Sequence, residues 1–228
     1  MERPSSAVFL DRDGVIIENR SAYVTSWADV TFLPRAFAAL RRLSASPHAV
    51  VMVTNQSAVG RGLISLDEAV ALNRRVIAEI EAHGGRVDAW YLCPHHPDHR
   101  CDCRKPAPGM LHRAEKDLAL DLTRSYLVGD AVSDMEAARA AGVRGLLVLT
   151  GRGREQLSLL GDGEGNAATC PIVADLWAAL DYLDYLDYLR FTPRANEAKG
   201  RMRDENSGHG SGWVYRERDH GPVDRAGA

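Results

Sequence analysis

The sequence predicts an α/β fold in which a parallel sheet is covered by helices on both faces. Three observations lead there. Short β-branched or apolar runs alternate with helix-like segments, the pattern of successive βαβ units. The runs are apolar throughout rather than at every second residue, as strands buried on both faces require. The strongest of them also end abruptly in polar residues, and open parallel sheets carry their sites outside the carboxyl ends of their strands.

Taken in order, residues 7–10 (Ala-Val-Phe-Leu) form the first expected strand and residues 49–53 the second. Residues 90–92 are a weaker third, and 125–128 and 145–149 complete a five-strand set. Ser65 followed by Glu68 has the spacing of a capping box, opening a helix that runs to about residue 83, ahead of Gly84-Gly85. Ser133 and Glu136 repeat that spacing before an alanine-rich stretch that Gly142 stops. The triplet Asp-Tyr-Leu, repeated three times over 181–189, extends the last helix and is assigned no function.

The chain has 228 residues, 45% hydrophobic and 26% charged, which suits one globular domain with a sizeable core. That domain is expected over 1–190. Residues 191–228 lack apolar periodicity and carry seven Lys/Arg against six Asp/Glu, so a disordered tail is expected there. A formal net charge of −3 gives no footprint for nucleic acid or an anionic membrane. No apolar run approaches the roughly 20 residues of a membrane span. The chain enters its first strand without the basic and apolar regions of a signal peptide, so a cytoplasmic protein is expected, as a monomer.

The strand ends hold the chemistry. The first runs into Asp11-Arg12-Asp13-Gly14, the second into Thr54-Asn55-Gln56-Ser57, and the fourth into Gly129-Asp130, with Asp134 opening the next helix. Carboxylates converging on one sheet edge repel one another unless a cation sits among them. Oxygen ligands of this kind suit Mg²⁺. A lone Asp after a strand is ordinarily a cap or turn former. The ordered set of Asp-x-Asp, a Thr end, a Lys and Gly-Asp-x-x-x-Asp is not produced by capping alone.

A second cluster is Cys93-Pro94-His95-His96, followed by Cys101-Asp102-Cys103. Clustered cysteines in a reducing compartment point to metal rather than disulfides. Cys93, His95, Cys101 and Cys103 make a closed Cys₃His set of the structural zinc type, for which His96 and His99 are alternative histidines. A zinc-stapled loop would hold the adjacent Arg104 and Lys105 over the strand ends. Cys170 stands apart and reads as a small buried apolar residue.

Phe9-Leu10-Asp11-Arg12-Asp13-Gly14, the Thr54 segment, Arg104-Lys105-Pro106 and Gly129-Asp130-x-x-x-Asp134 resemble the four motifs of the haloacid dehalogenase superfamily. The likeness extends over about residues 7–150. With the Cys-x-His…Cys-x-Cys-Arg-Lys-Pro block it resembles the histidinol-phosphate and heptose-bisphosphate phosphatase branch. The resemblance implies a Rossmann-like fold and a magnesium-dependent phosphatase working through an aspartyl-phosphate. Asp11 would be the nucleophile and Asp13 the acid and base. Thr54 and Lys105 would hold phosphoryl oxygens. Mg²⁺ would lie among Asp11, the Asp13 carbonyl and Asp130, and zinc would be structural.

Only about forty residues separate the first two expected strands, too few for a large cap domain, so loops should recognise the substrate. Asn55, Gln56, Ser57, Arg61 and Arg104 are the candidates. Ser57 and the nearby Arg61 look closer to the heptose type than to the histidinol type, where an Asp commonly follows the Gln. The implied substrate is a sugar phosphate, D-glycero-D-manno-heptose 1,7-bisphosphate, losing its 7-phosphate. The competing expectations are a histidinol-phosphate phosphatase and a non-catalytic zinc-stapled binding module. Ala131 follows Asp130 where bacterial heptose enzymes often carry a basic residue, and Ala58 replaces a usual glycine.

Overall fold

The computed structural model describes residues 5–159, 170–191 and 215–216. Six parallel strands and one antiparallel strand form a single sheet. In chain order they are β1 (Ala7–Leu10), β2 (Ala49–Asn55), β3 (Ala89–Cys93), β4 (Tyr126–Gly129), β5 (Arg144–Val148), β6 (Ile172–Val173) and β7 (Tyr215–Arg216). Their spatial order is β6-β5-β4-β1-β2-β3-β7, so β1 is central, paired with β2 on one side and β4 on the other. The chain builds β1-β2-β3 outward in one direction and then returns to start β4 beside β1. A crevice opens at such a switch in strand order.

The five expected strands are all present, with ends displaced by two residues at most. Two short edge strands, β6 and β7, were too brief to leave a sequence signal. The tail expected over 191–228 lies outside the described residues, apart from Phe191 at the end of a helix and the two residues of β7, which pair antiparallel with β3.

The apolar runs divide between two cores because successive strand residues face opposite sides. Val8, Leu10, Val50, Met52, Tyr126 and Val128 join one cluster, with Leu40, Val76, Ile80 and Leu180 from α1 (Ala36–Ser44), α3 (Leu66–Ala82) and α7 (Leu176–Phe191). Ala7, Phe9, Val51, Val53 and Leu127 join the other, with Met110, Leu111 and Ala137 from α4 (Gly109–Leu118) and α5 (Val132–Ala140). Short α2 (Ser57–Gly60) and α6 (Gly153–Gln156) sit at strand ends. Between β1 and β2 the described chain holds only loops, one 3-10 turn and α1, so no large cap domain is inserted there.

The first capping box is present: Ser65 Oγ accepts from Glu68 N at 3.1 Å, and Glu68 Oε2 accepts from Ser65 N at 2.7 Å. The second needs correction. Helix α5 starts two residues earlier than Ser133-Glu136 implies, with Ala131 as its cap. Asp134, the third helical residue, turns its carboxylate back to accept from Ala131 N at 3.1 Å. The acidic half of a capping box thus formed without a hydroxyl partner, because Asp134 is held from the other side by the site described below. The triplet repeat is helical, and each of its aspartates is used: Asp181 and Asp184 both meet Arg42 at 2.5 Å, and Asp187 meets His48 Nε2 at 2.9 Å. Cys170 is half-buried rather than buried, with burial pushing its thiol pKa up. No helix among the described residues is long and apolar enough to cross a membrane.

Candidate active site

β1, β2 and β4 all end at one edge of the sheet, and their following residues meet there. Asp11 comes off β1, Asp130 off β4, and Asp134 from the first turn of α5; all three are buried, and carboxylate oxygens from the three lie within 4.8 Å of one another. Lys105 enters from the β3–α4 connection, itself only 4% exposed. Its Nζ stands 2.9 Å from Asp11 Oδ1 and 2.5 Å from Asp134 Oδ1, and donates to the Val53 carbonyl at 2.9 Å.

One lysine does not balance three buried carboxylates. Burial raises the Asp11 pKa to about 6, with Asp134 and Asp13 adding to it against the pull of Lys105. Burial also raises Asp130 and Asp134 above the ordinary carboxylate range. Burial works against the Lys105 cation, but Asp11 and Asp134 together raise its pKa. Asp130 Oδ1 is buried with no hydrogen-bond partner. Excess negative charge and an orphaned carboxylate oxygen fit a divalent cation. The cluster takes in Asp134, whereas the Asp13 carboxylate faces elsewhere, onto Arg12 and Gln56.

Asp130 sits in a socket with glycine walls. A Cβ on Gly14 (φ +89°) would lie 2.1 Å from Asp130 Oδ2, and one on Gly151 2.3 Å from the same atom. Gly14→Ala should therefore cost about 2 kcal/mol or more, from positive-φ strain and this clash together. A melting curve unchanged from the parent would contradict it.

Asp11, Asp134 and Lys105 line a cleft of about 750 Å³, with Asp130 fully buried off its wall. Of the sequence candidates, Asp11, Asp13, Asn55, Gln56, Ser57, Arg104 and Lys105 line it. Thr54 does not; it is fully buried, and its Oγ1 accepts from Gln56 Nε2 at 2.8 Å. Arg61 also stands off the wall, with its guanidinium 5.8 Å from the ring of Tyr23, which does line the cleft. Asn55 spends both ends of its amide on the backbone of Lys105: Nδ2 donates to its carbonyl at 3.0 Å and Oδ1 accepts from its N–H at 3.1 Å. It thereby ties β2 to the lysine's loop. Arg104 Nη1 is buried without a hydrogen-bond partner.

The β5–α6 connection was missed. Arg152 N donates to Asp130 Oδ2 at 2.8 Å, and Arg152 Nη2 stands 3.7 Å from Asp130 Oδ1. A basic residue thus stands beside Asp130 although Ala131 cannot supply one. The polar Thr150-Gly151-Arg152 after the fifth strand was a visible signal of the kind used for the other strands.

Behind Lys105, Cys93, His95, Cys101 and Cys103 converge, their ligand atoms all within 4.8 Å of one another. His95 Nδ1 lies 3.5 Å from Cys93 Sγ and 3.2 Å from Cys103 Sγ; Cys101 Sγ lies 3.7 Å from Cys93 Sγ and 3.5 Å from Cys103 Sγ. Tetrahedral zinc with ordinary Zn–S and Zn–N bonds has ligand–ligand edges of about 3.5–3.8 Å, so the set has the size zinc needs. A hydrogen bond from the Cys103 thiol foremost lowers the Cys93 pKa to about 5, making Cys93 a ready thiolate.

Asp11-x-Asp13, Lys105 and Gly129-Asp130 gathered at the carboxyl ends of parallel strands resemble the site of haloacid-dehalogenase-like hydrolases. A HAD-hydrolase-like family model matches residues 102–179. The D-glycero-beta-D-manno-heptose-1,7-bisphosphate 7-phosphatase of Rhodopseudomonas palustris is 42% identical over 146 residues, 61% of this chain and 81% of the relative. The enzyme of the same name from Pseudomonas aeruginosa is 39% identical, over 65% of this chain and 83% of the relative. The crystal structure of D,D-heptose 1,7-bisphosphate phosphatase from B. bronchiseptica, complexed with magnesium and phosphate, superposes with a TM-score of 0.72 at 35% identity, covering 79% of this chain and 99% of that one. The chain is thus a phosphatase that belongs to the heptose-bisphosphate phosphatase family.

Proposed function

We propose that the chain removes the 7-phosphate of D-glycero-D-manno-heptose 1,7-bisphosphate, using Asp11 as nucleophile and Mg²⁺ as cofactor. The observation that carries the mechanism is the placement of Asp11: a buried carboxylate held on Lys105 at 2.9 Å, beside Asp130, at the floor of an open polar cleft. A carboxylate attacks an anionic phosphate only where cations offset the repulsion. When bound among Asp11, Asp130 and the Asp13 carbonyl, Mg²⁺ would supply that offset and polarise the phosphoryl group.

In the first step an Asp11 oxygen bonds to phosphorus and the bond to the ester oxygen breaks, while Asp13 gives that oxygen a proton. In the second, Asp13 takes a proton from water as the water attacks phosphorus, freeing phosphate and restoring Asp11. Lys105 steadies the phosphoryl oxygens, while Thr54, buried off the cleft wall, is bonded to Gln56. Asp134 holds Lys105 from behind and is bonded to the α5 cap, so the lysine is fixed before substrate arrives. Zinc on Cys93, His95, Cys101 and Cys103 staples the loop that presents Arg104 and Lys105.

Two further features support a sugar bisphosphate. The cleft walls carry Arg20, Arg104 and Arg152 beyond the reacting lysine, and guanidinium groups suit a second phosphate. Ser57 stands on the cleft wall, at the position after the Gln where the histidinol type carries a carboxylate for an amine. The relatives named above carry the same activity in their names. A monomeric cytoplasmic enzyme is part of this proposal.

Phosphate release from the heptose 1,7-bisphosphate and from histidinol phosphate, measured side by side with Mg²⁺, tests the assignment. The heptose ester should be the better substrate by about 100-fold or more in kcat/KM, as expected where a site's polar groups are satisfied by one substrate alone. Preference for histidinol phosphate would overturn the substrate assignment and leave the phosphatase chemistry in place.

A further inference from the structure

Arg12 lies between the two aspartates of the first motif and borders the cleft, yet it is only 1% exposed. A buried guanidinium is costly unless its donors are satisfied. Its partners here are few and specific. Nε donates to Asp13 Oδ2 at 3.1 Å and Nη2 to Asp13 Oδ1 at 3.0 Å, with Nη2 also 3.0 Å from Oδ2, so the guanidinium fork grips both oxygens of the neighbouring carboxylate. Nη1 donates to Asn73 Oδ1 at 2.6 Å.

Asn73 is itself fully buried, in the middle of α3, on the face otherwise made of Ala69, Val70, Leu72, Val76 and Ile80. Asparagine is a poor helix former and an expensive core residue. It stands where Arg12 needs an acceptor from the helix layer. A chain of contacts therefore runs from α3 through Asn73 and Arg12 to Asp13, and on through Gln56 to Thr54.

The two oxygens of Asp13 are loaded unequally. Oδ2 accepts from Arg12 Nε and from Gln56 Nε2 at 3.1 Å, filling its two lone-pair directions. Oδ1 accepts only from Arg12 Nη2 among the described contacts, which leaves one lone-pair direction free. We propose that Arg12, anchored by Asn73, is a positioning residue for the acid/base step, holding Asp13 so that Oδ1 is the oxygen that exchanges a proton with the ester oxygen. This rests on the acid/base role of Asp13 proposed above. Lysine cannot reproduce the fork, because a point ammonium does not set the plane of a carboxylate.

The test compares two esters through kcat/KM, which reports the chemistry up to formation of the aspartyl-phosphate. An alkyl ester, the heptose bisphosphate, needs its leaving oxygen protonated. An aryl ester, 4-nitrophenyl phosphate, leaves as a stable anion and does not. Arg12→Met should lower kcat/KM for the alkyl ester by about 100-fold and change it for the aryl ester by less than about threefold, since a misaimed acid costs only the reaction that uses it. Arg12→Lys should show the same selectivity with the buried charge retained. Asn73→Ala, which keeps the helix and removes only the anchor, should show it more weakly and supplies the measurement if the Arg12 variants do not fold. Equal losses on both esters in a folded variant, or no loss on the alkyl ester, would overturn the positioning role. A parent protein inactive on both esters would instead remove the phosphatase mechanism on which it rests.

Discussion

Asp11→Asn should reduce phosphate release by about four orders of magnitude or more, because Asp11 is the group placed to form the covalent intermediate. The same variant should fold, and in metal-free buffer it should melt no lower than the parent. Asp11 is buried beside Asp130 and Asp134, and its pKa is raised to about 6 by that burial first of all. A carboxylate whose folded pKa lies above its unfolded value destabilises the fold once pH rises through that range and it must ionise. At neutral pH the parent therefore carries a strained anion, and asparagine relieves it at nearly the same size. Lys105 keeps Asp134 at 2.5 Å and the Val53 carbonyl at 2.9 Å, so the lysine is not orphaned. Stability given up for chemistry is a recurring pattern at active sites. Measurable turnover by the purified variant, free of parent enzyme, would eliminate Asp11 as nucleophile.

On the proposed zinc site, Cys103→Ser should cost both bound zinc and activity. Cys103 is fully buried, with its sulfur 3.2 Å from His95 Nδ1 and 3.5 Å from Cys101. Lys105 is two residues further on, and its Nζ reaches Asp11. From the end of β3 at Cys93 to the start of α4 at Gly109 the chain contains no helix or strand. The four ligands hold the first half of that connection, and the Asn55 clasp and the Lys105 contacts to Asp11, Asp134 and Val53 hold its second. Losing a ligand from a closed structural set should destabilise the protein on the order of 4 kcal/mol or more. Zinc content per chain, the melting midpoint and phosphate release should all fall together. Cys170→Ser, outside the cluster, is the control and should retain zinc. A zinc-free Cys103→Ser enzyme with parental activity would show that the staple does not position Lys105.

Much of the fold was legible because its signals are local. Residues 7–10 and 49–53 are short and apolar without alternation, the pattern of strands buried on both faces. Ser65 and Glu68 are three apart, so their capping box closes within one helical turn. The site motifs were legible for the same reason, since Asp11 and Asp13, Cys93 and His95, and Cys101 and Cys103 are close neighbours in the chain. The start of α5 was misplaced because Ser133 and Glu136 have the right spacing, yet Asp134, pinned by Lys105 from the β3–α4 connection, supplies the contact to the cap instead.

By itself the sequence determined the strand set, the carboxylates that follow the strands and the four candidate zinc ligands, because strand runs, strand-end residues and the pairs Cys93/His95 and Cys101/Cys103 are each local in the chain. Only the tertiary structure decided that Asp134 stands with Asp11 and Asp130, that Asn55 clasps Lys105, that Arg152 takes the place beside Asp130 which Ala131 cannot fill, and that Arg12 is held by Asn73. Each of these joins residues from separate strands and helices. Local spacing carries no information about such pairs; they are set by the order in which the strands pack and by the need to satisfy every charge buried between them.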